Sequence, residues 1–242
     1  MNRVVVMAIL CAAAGCTADS SYGFFILRNQ VITEDCVIPS GSGSDYRGFG
    51  RLDVTDPIPG TDLANIGYVF SPAVVNGATV IAGSPNQHTL FLQGADVELR
   101  SDGSAMSNGL LSALSGRNLA NRTQHFSGAI MAGATIGVGY PLIDSEQTQA
   151  IADVIDSGVD VTVIAHTKIF GTIDGGDATS DAFDFPVTVC LGCLVDNLGP
   201  CASIPMMTTI HTGGKCNLLQ DALLDCCTLA SGAAECPAQK PQ

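Results

Sequence analysis

Of ten cysteines in this 242-residue chain, seven crowd the last 53 residues, Cys36 stands alone far upstream, and Cys11 and Cys16 lie in the first sixteen residues, where a secretory leader would remove the one and lipidation consume the other. The tail set is Cys190, Cys193, Cys201, Cys216, Cys226, Cys227 and Cys236. Seven is odd, so the tail cannot pair all its cysteines internally. In an oxidising compartment four disulfides are the economical arrangement, and one tail cysteine then reaches back to Cys36. Such a bond ties the tail to the first strand and closes a loop of well over a hundred residues. Spacing alone leaves 105 connectivities open.

The compartment is read from the first sixteen residues. Arg3 precedes an apolar run of eleven residues, Val4 to Ala14. This matches the charged and short apolar regions of a secretory signal. It is too short to span a bilayer, which needs about 20 apolar residues. The run ends Ala13-Ala14-Gly15-Cys16, small residues immediately before a cysteine. This resembles a bacterial lipobox, where cleavage before the cysteine accompanies diacylation of its thiol; Ala13 stands where Leu is usual. The expectation is a signal peptide over 1–15 and lipidation of Cys16. Thr17, rather than Asp, follows the cysteine, which by resemblance to known sorting rules favours the outer membrane. Two or more acyl chains anchor stably, at about 0.8 kcal/mol per buried CH₂. The alternative is ordinary cleavage at Ala14 or after Ala18, giving a secreted or periplasmic chain. No second uncharged apolar run is long enough to cross a bilayer.

Charge excludes one class of partner. Ten Lys and Arg against 23 Asp and Glu give −13, and loss of Arg3 with the leader makes the mature balance −14. Such a chain repels phosphate backbones, so no nucleic acid is expected as a partner. Hydrophobic residues at 46% and charged residues at 14% argue against disorder. The lack of Trp and the presence of only four Tyr disfavour an aromatic platform for polysaccharides.

The body reads mostly as strands. Phe24 to Leu27 with Val31-Ile32 is β-rich, residues 39–50 read as a loop, and Gly67 to Val75 as a strand. From Thr89 to Arg100 two alternating stretches are offset around Gly94, which predicts a bulge. His125 to Ile143 is apolar but broken by Gly128, Gly133, Gly137 and Gly139, favouring a bent strand or two strands. Asp144 to Asp156 carries helical spacing with a cap-like start at Ser145. Alternation resumes from Val159 to Ile173, and Asp174-Gly175-Gly176-Asp177 predicts a hairpin turn before Phe183 to Val189. In the tail, Leu218, Leu219, Ala222, Leu223 and Cys226 share a face of a candidate helix over 217–229. The sum is a mainly β chain. The expected architecture is an immunoglobulin-like β-sandwich over 16–195, with a disulfide-stapled, partly helical C-terminal lobe over 196–242.

Motifs for chemistry fail one by one. Gly41-Ser42-Gly43-Ser44-Asp45 misses the register of a hydrolase elbow. His88, His125, His166 and His211 are scattered without a metalloprotease spacing. Gly213-Gly214-Lys215-Cys216 lacks the first glycine and the hydroxyl of a P-loop, and Gly133 to Gly139 lacks the dinucleotide fingerprint. Asp174, Asp177, Asp181 and Asp184 offer oxygen ligands for calcium, though turn chemistry explains them without an ion. Cys190-Leu191-Gly192-Cys193 is a C-x-x-C, a redox motif in a βαβ setting that this stretch lacks. Zinc would need further ligands such as His211, and the vicinal Cys226-Cys227 chelates one tetrahedral ion poorly. No catalytic residue, metal or cofactor is assigned.

Phe183-x-Phe185-Pro186-Val187-x-Val189-Cys190-x-Gly192-Cys193-Leu194 resembles a stretch of cysteine-rich predicted lipoproteins of myxobacterial type. The resemblance covers the body from Cys36 to Cys193. It implies an envelope location, a β-rich body and a cysteine-rich tail, and supplies no catalytic residues. The functional expectation is a non-catalytic, lipid-anchored protein of the outer membrane or cell surface, a binding or structural module with the membrane and envelope proteins as partners. The alternative is an extracytoplasmic metal-binding or thiol-redox protein using Cys190 and Cys193.

Overall fold

The computed structural model describes residues 23–40, 44–55, 67–78, 88–205, 209–232 and 234–237. The expected signal peptide over 1–15 and Cys16 lie outside the described residues. The body opens with strands β1 (Phe24–Gln30), β2 (Tyr46–Arg47), β3 (Gly50–Asp53), β4 (Tyr68–Phe70), β5 (Pro72–Asn76) and β6 (Leu90–Ser101), followed by helix α1 (Ala105–Gly116). Strands β7 (Asn121–Ile130), β8 (Thr135–Gly137) and β9 (Tyr140–Ile143) lead into helix α2 (Ser145–Ala152). Strands β10 (Asp160–Ile173), β11 (Gly176–Thr179) and β12 (Phe183–Cys190) complete the body. The tail holds β13 (Val195–Pro200), a 3₁₀ turn at Cys201–Ser203, β14 (Leu224–Thr228) and β15 (Ala234–Glu235).

The longest alternating run in the sequence became the centre of the largest sheet. Side chains of β10 alternate between buried and less buried along 14 residues, as a pleated strand with one core face requires. It pairs antiparallel with β12 on one side and β6 on the other. The full order is β3-β12-β10-β6-β7, with β3 parallel to β12 and β11 hairpinned onto the end of β10. The Asp174-Gly175 turn makes that hairpin: both residues have positive φ, 52° and 81°, the requirement of a type I′ turn matched to strand twist. The expected bulge also stands in β6, where both neighbouring ladders shift register beside Gly94. A Cβ there would overlap the Gln124 carbonyl and the Phe170 ring.

A second sheet runs β2-β1-β5-β8, and β4 pairs with β9 as a ribbon. The architecture is mainly β and sandwich-like, around one continuous core drawn from these sheets and both helices. Aromatics mark where the ribbon meets the large sheet. Phe70 packs against Phe185 at 5.1 Å and edge-on to Tyr140 at 5.6 Å, and Tyr68 lies 5.7 Å from Phe185. Such pairs contribute about 0.5–1.5 kcal/mol beyond their burial.

Several expectations change. The run Gly67 to Val75 is two strands in different sheets, with Ser71 at the corner between them. The expected loop 39–50 contains β2 and the start of β3. His125 to Ile143 spans the end of β7 and all of β8 and β9. Helix α2 starts one residue earlier in its capping than expected: Asp144 is the N-cap, in a capping box with Gln147. Helix α1 was not expected; its Ser and Gly content hides a buried stripe of Ser107, Leu110 and Leu114 beneath a Ser104 cap.

The tail helix over 217–229 is a correction. Residues 224–228 form β14, between β13 and β15, and the lobe's only helical element among the described residues is the three-residue 3₁₀ turn. The vicinal cysteines give the reason. Adjacent residues of a strand point to opposite faces, so Cys226 bonds Cys236 while Cys227 bonds Cys201. On a helix the two would lie on neighbouring faces. Asp221, at φ 63°, breaks the helical run before the strand. Leu224 and Cys226, with Leu219, form the small separate core of the lobe.

Candidate functional site

The tail folds back over the body at the end of β1. Cys36–Cys216 joins the segment after β1 to the tail across 180 residues. Gln220 then acts as a surrogate strand: its amide accepts from Val69 N at 2.9 Å and donates to Val69 O at 2.8 Å. Asp221 N donates to Arg51 O, and Asp53 N donates to Leu219 O. Between these contacts lies a cleft of about 340 Å³.

One wall of the cleft is apolar, from Val31, Ile32, Ile38 and Val69, and the rest is rich in amides, from Asn29, Gln30, Asn217 and Gln220. Charge within it is largely self-neutralised. Arg47 Nε lies 3.7 Å from Asp221 Oδ2, and Lys215 Nζ lies 2.6 Å from Glu34 Oε1. Asp221 also accepts from Arg51 N at 2.7 Å and from the Tyr68 hydroxyl at 3.0 Å. Burial raises its carboxyl above the usual value against these donors. Raised in the folded state, it contributes most when protonated, and its contribution falls as pH rises through the raised value.

Among the described residues, two polar groups of the wall have no partner. Gln30 and Ser71 both line the cleft and are almost fully buried, at 2% and 1% exposure. Gln30 Oε1 accepts from Ser44 at 3.1 Å, but Gln30 Nε2 and Ser71 Oγ make no hydrogen bond. A buried unpaired donor costs about 1–3 kcal/mol. Ser71 is held at the sheet corner by Asn29 Oδ1 and by its own carbonyl, which accepts from Gln30 N. None of these residues carries a motif. They come from segments as distant as Asn29 and Asp221, so only folding assembles the site.

The residues singled out in the sequence are placed as follows. All eight cysteines among the described residues pair: Cys36–Cys216, Cys190–Cys193, Cys201–Cys227 and Cys226–Cys236. Among the described residues, the four aspartates do not form a group close enough to share one ion. Asp174 serves His88, accepting from its backbone N at 3.0 Å and from its ring, which holds the Asp174 carboxyl below the usual range. Asp184 pairs with His166 at 2.6 Å, and Asp177 faces Thr172 across the hairpin. His211 pairs with buried Asp225 at 3.0 Å, and His125 stands edge-on to Phe170. Among the described residues, Asp53 with Cys190 and Cys193 is one of two acid-and-cysteine groups tight enough to hold an ion, the other being Cys201, Cys227 and Glu235. Both cysteine pairs are oxidised.

Two buried phenols give the molecule an alkaline signature. Burial raises Tyr68 well above 10.0, helped by Asp221, and burial likewise raises Tyr140, whose hydroxyl meets Thr167 at 3.0 Å. An unfolded tyrosine ionises near pH 10. The stability these phenols contribute is therefore complete below about pH 10 and is lost as pH rises toward their folded values. In a 295 nm titration, Tyr68 and Tyr140 are expected to ionise only as circular dichroism reports unfolding. Titration of all four tyrosines near pH 10 in a folded chain would contradict their burial.

No protein-family model, no curated protein and no solved structure matches this chain.

Proposed function

We propose that this chain is a non-catalytic binding module of the cell envelope, anchored through a lipid on Cys16, whose cleft beside Cys36–Cys216 receives a small neutral polar ligand. The observation that carries this reading is the pair of buried, unpartnered polar groups, Gln30 Nε2 and Ser71 Oγ, in the cleft wall. Neither atom is itself exposed, so a ligand's carbonyl or hydroxyl reaches them when the two side chains turn toward the cleft, which relieves a cost the empty wall bears. Val31, Ile32, Ile38 and Val69 receive its apolar part. The acidic surface disfavours anions, and the Arg47–Asp221 pair leaves little net charge to attract an ion. The volume falls in the range of small-molecule sites. An immunoglobulin-like arrangement of the two larger sheets, and kinship with the cysteine-rich lipoproteins, belong to the same proposal. Four disulfides and the acidic, exportable sequence support an extracytoplasmic location.

The test uses the mature chain from Thr17 and saturation-transfer NMR with N-acetyl amino-acid amides and N-acetylhexosamines. One probe class is expected to bind, and Gln30→Leu is expected to weaken it roughly tenfold, the equivalent of one hydrogen bond to a buried donor. Equal signals from wild type and variant, or none from either, would remove the cleft from the proposal. Cell fractionation addresses the anchor: Cys16→Ser is expected to leave the membrane fraction, and retention there would overturn lipidation.

A further inference from the structure

β3 runs parallel beside the end of β12, so Asp53 lies opposite Cys190. The Asp53 carboxylate is fully buried and is spent on the turn that joins the two cysteines. Its Oδ1 accepts from Gly192 N at 2.8 Å and its Oδ2 from Leu194 N at 2.7 Å. Thr55 adds its N at 2.9 Å and its hydroxyl at 2.6 Å. Val54 N donates to Cys190 O at 2.8 Å. The turn over 190–194 is thus held by hydrogen bonds that do not involve sulfur.

The disulfide within that turn differs from the other three. It joins residues only 3 apart, against 180, 26 and 10 elsewhere, so it constrains the unfolded chain least. Its two sulfurs are unequally accessible: Cys190 is 1% exposed, whereas Cys193 is half-buried next to exposed Gly192. An acceptor for a Cys190 thiol is already in place, the Leu52 carbonyl at 3.5 Å from the sulfur. A carboxylate oxygen of Asp53 lies within 4.8 Å of both sulfurs.

We propose that Cys190–Cys193 is a reversibly reducible pair that exchanges with an external dithiol, a role independent of the ligand cleft. The partner thiolate attacks the accessible Cys193 Sγ, forming a mixed disulfide. The Cys190–Cys193 bond breaks, and its electron pair goes to Cys190 Sγ, which takes a proton and donates it toward Leu52 O. The partner's second thiolate then attacks its own sulfur of the mixed disulfide and releases Cys193, which is protonated in turn. The partner dithiol is oxidised to a disulfide, and this pair gains two electrons and two protons. Asp53 is a positioning residue. It keeps the opened thiols at closing distance, and its charge disfavours a neighbouring thiolate.

The experiment is a graded dithiothreitol equilibration of the mature chain from Thr17, followed by alkylation and peptide mass mapping. Cys190 and Cys193 are expected to take up two alkyl groups while the other three disulfides remain closed and far-UV circular dichroism is unchanged. Exchange into oxidised dithiothreitol should reclose the pair within the chain, with the two electrons and two protons passing to that reagent. Opening together with or after the other disulfides, or loss of the fold on opening, would overturn the proposal. Asp53→Asn reports on the positioning role: the pH profile of Cys193 alkylation is expected to move to lower pH than in wild type. An unmoved profile in a folded variant would remove Asp53 from the mechanism, and if the variant does not fold, the wild-type titration decides alone.

Discussion

Replacing Cys36 and Cys216 together by alanine is expected to destabilise the chain by about 5 kcal/mol in the loop-entropy description of disulfides. The bond spans 180 residues, and the entropy it removes from the unfolded state grows with the logarithm of that span. A typical domain has only about 5–15 kcal/mol in hand, so this loss takes a large part of it. The bond also fixes the segment after β1 against the tail, so the cleft should widen in the variant. Urea unfolding under non-reducing conditions checks the prediction. A midpoint close to wild type would mean that the Gln220 and Asp221 contacts hold the tail without covalent help. The same description assigns the Cys190–Cys193 loop about 2 kcal/mol, less than half as much.

Asp53→Ala is expected to cost about 3–5 kcal/mol, comparable to breaking a buried ion pair. The carboxylate is fully buried and accepts hydrogen bonds from Gly192 N, Leu194 N, Thr55 N and the Thr55 hydroxyl. Alanine strands these donors together, with Leu194 N buried and Gly192 N and the two Thr55 groups part-buried. Each stranded donor is penalised by about 1–3 kcal/mol, partly relieved when the turn loosens. Thermal unfolding, with hydrogen exchange at Gly192 and Leu194, measures the effect and locates it. Unchanged protection at those two amides would mean that the turn is held by β3 and β12 pairing alone.

Much of the body was legible because strand alternation is a local signal. The run Val159 to Ile173, the Asp174-Gly175 turn and the offset at Gly94 each carry their geometry in adjacent residues, and each stands in the fold. The odd number of tail cysteines likewise required a long-range bond without saying which cysteine makes it; that cysteine is Cys216. The tail helix was misread because Leu218, Leu219, Ala222 and Leu223 satisfy helical spacing, while the pull of β13 and of two disulfides on opposite faces of β14 is tertiary. Helix α1 escaped because its buried stripe includes Ser107, whose hydroxyl donates to Thr162 O at 2.7 Å. The cleft was illegible for a plainer reason. Gln30, Ser71 and Asp221 are ordinary polar residues in sequence, and what distinguishes them is burial next to one another, which no spacing records.

The crossing order of the disulfides has a consequence for how the chain is made. Synthesis proceeds from the N-terminus, so Cys36 emerges 180 residues before its partner. At about 5–20 residues per second it waits roughly ten to forty seconds. During that time Cys190, Cys193 and Cys201 pass by, all competent to capture it. Cys201 in turn must skip Cys216 and Cys226 to reach Cys227. A rule that joined each thiol to the next one available would produce the wrong molecule. A chain oxidised as it emerges therefore reaches the native pattern only by reshuffling once Cys216, Cys227 and Cys236 are present, and its yield in a heterologous host should depend on a disulfide isomerase as much as on an oxidant.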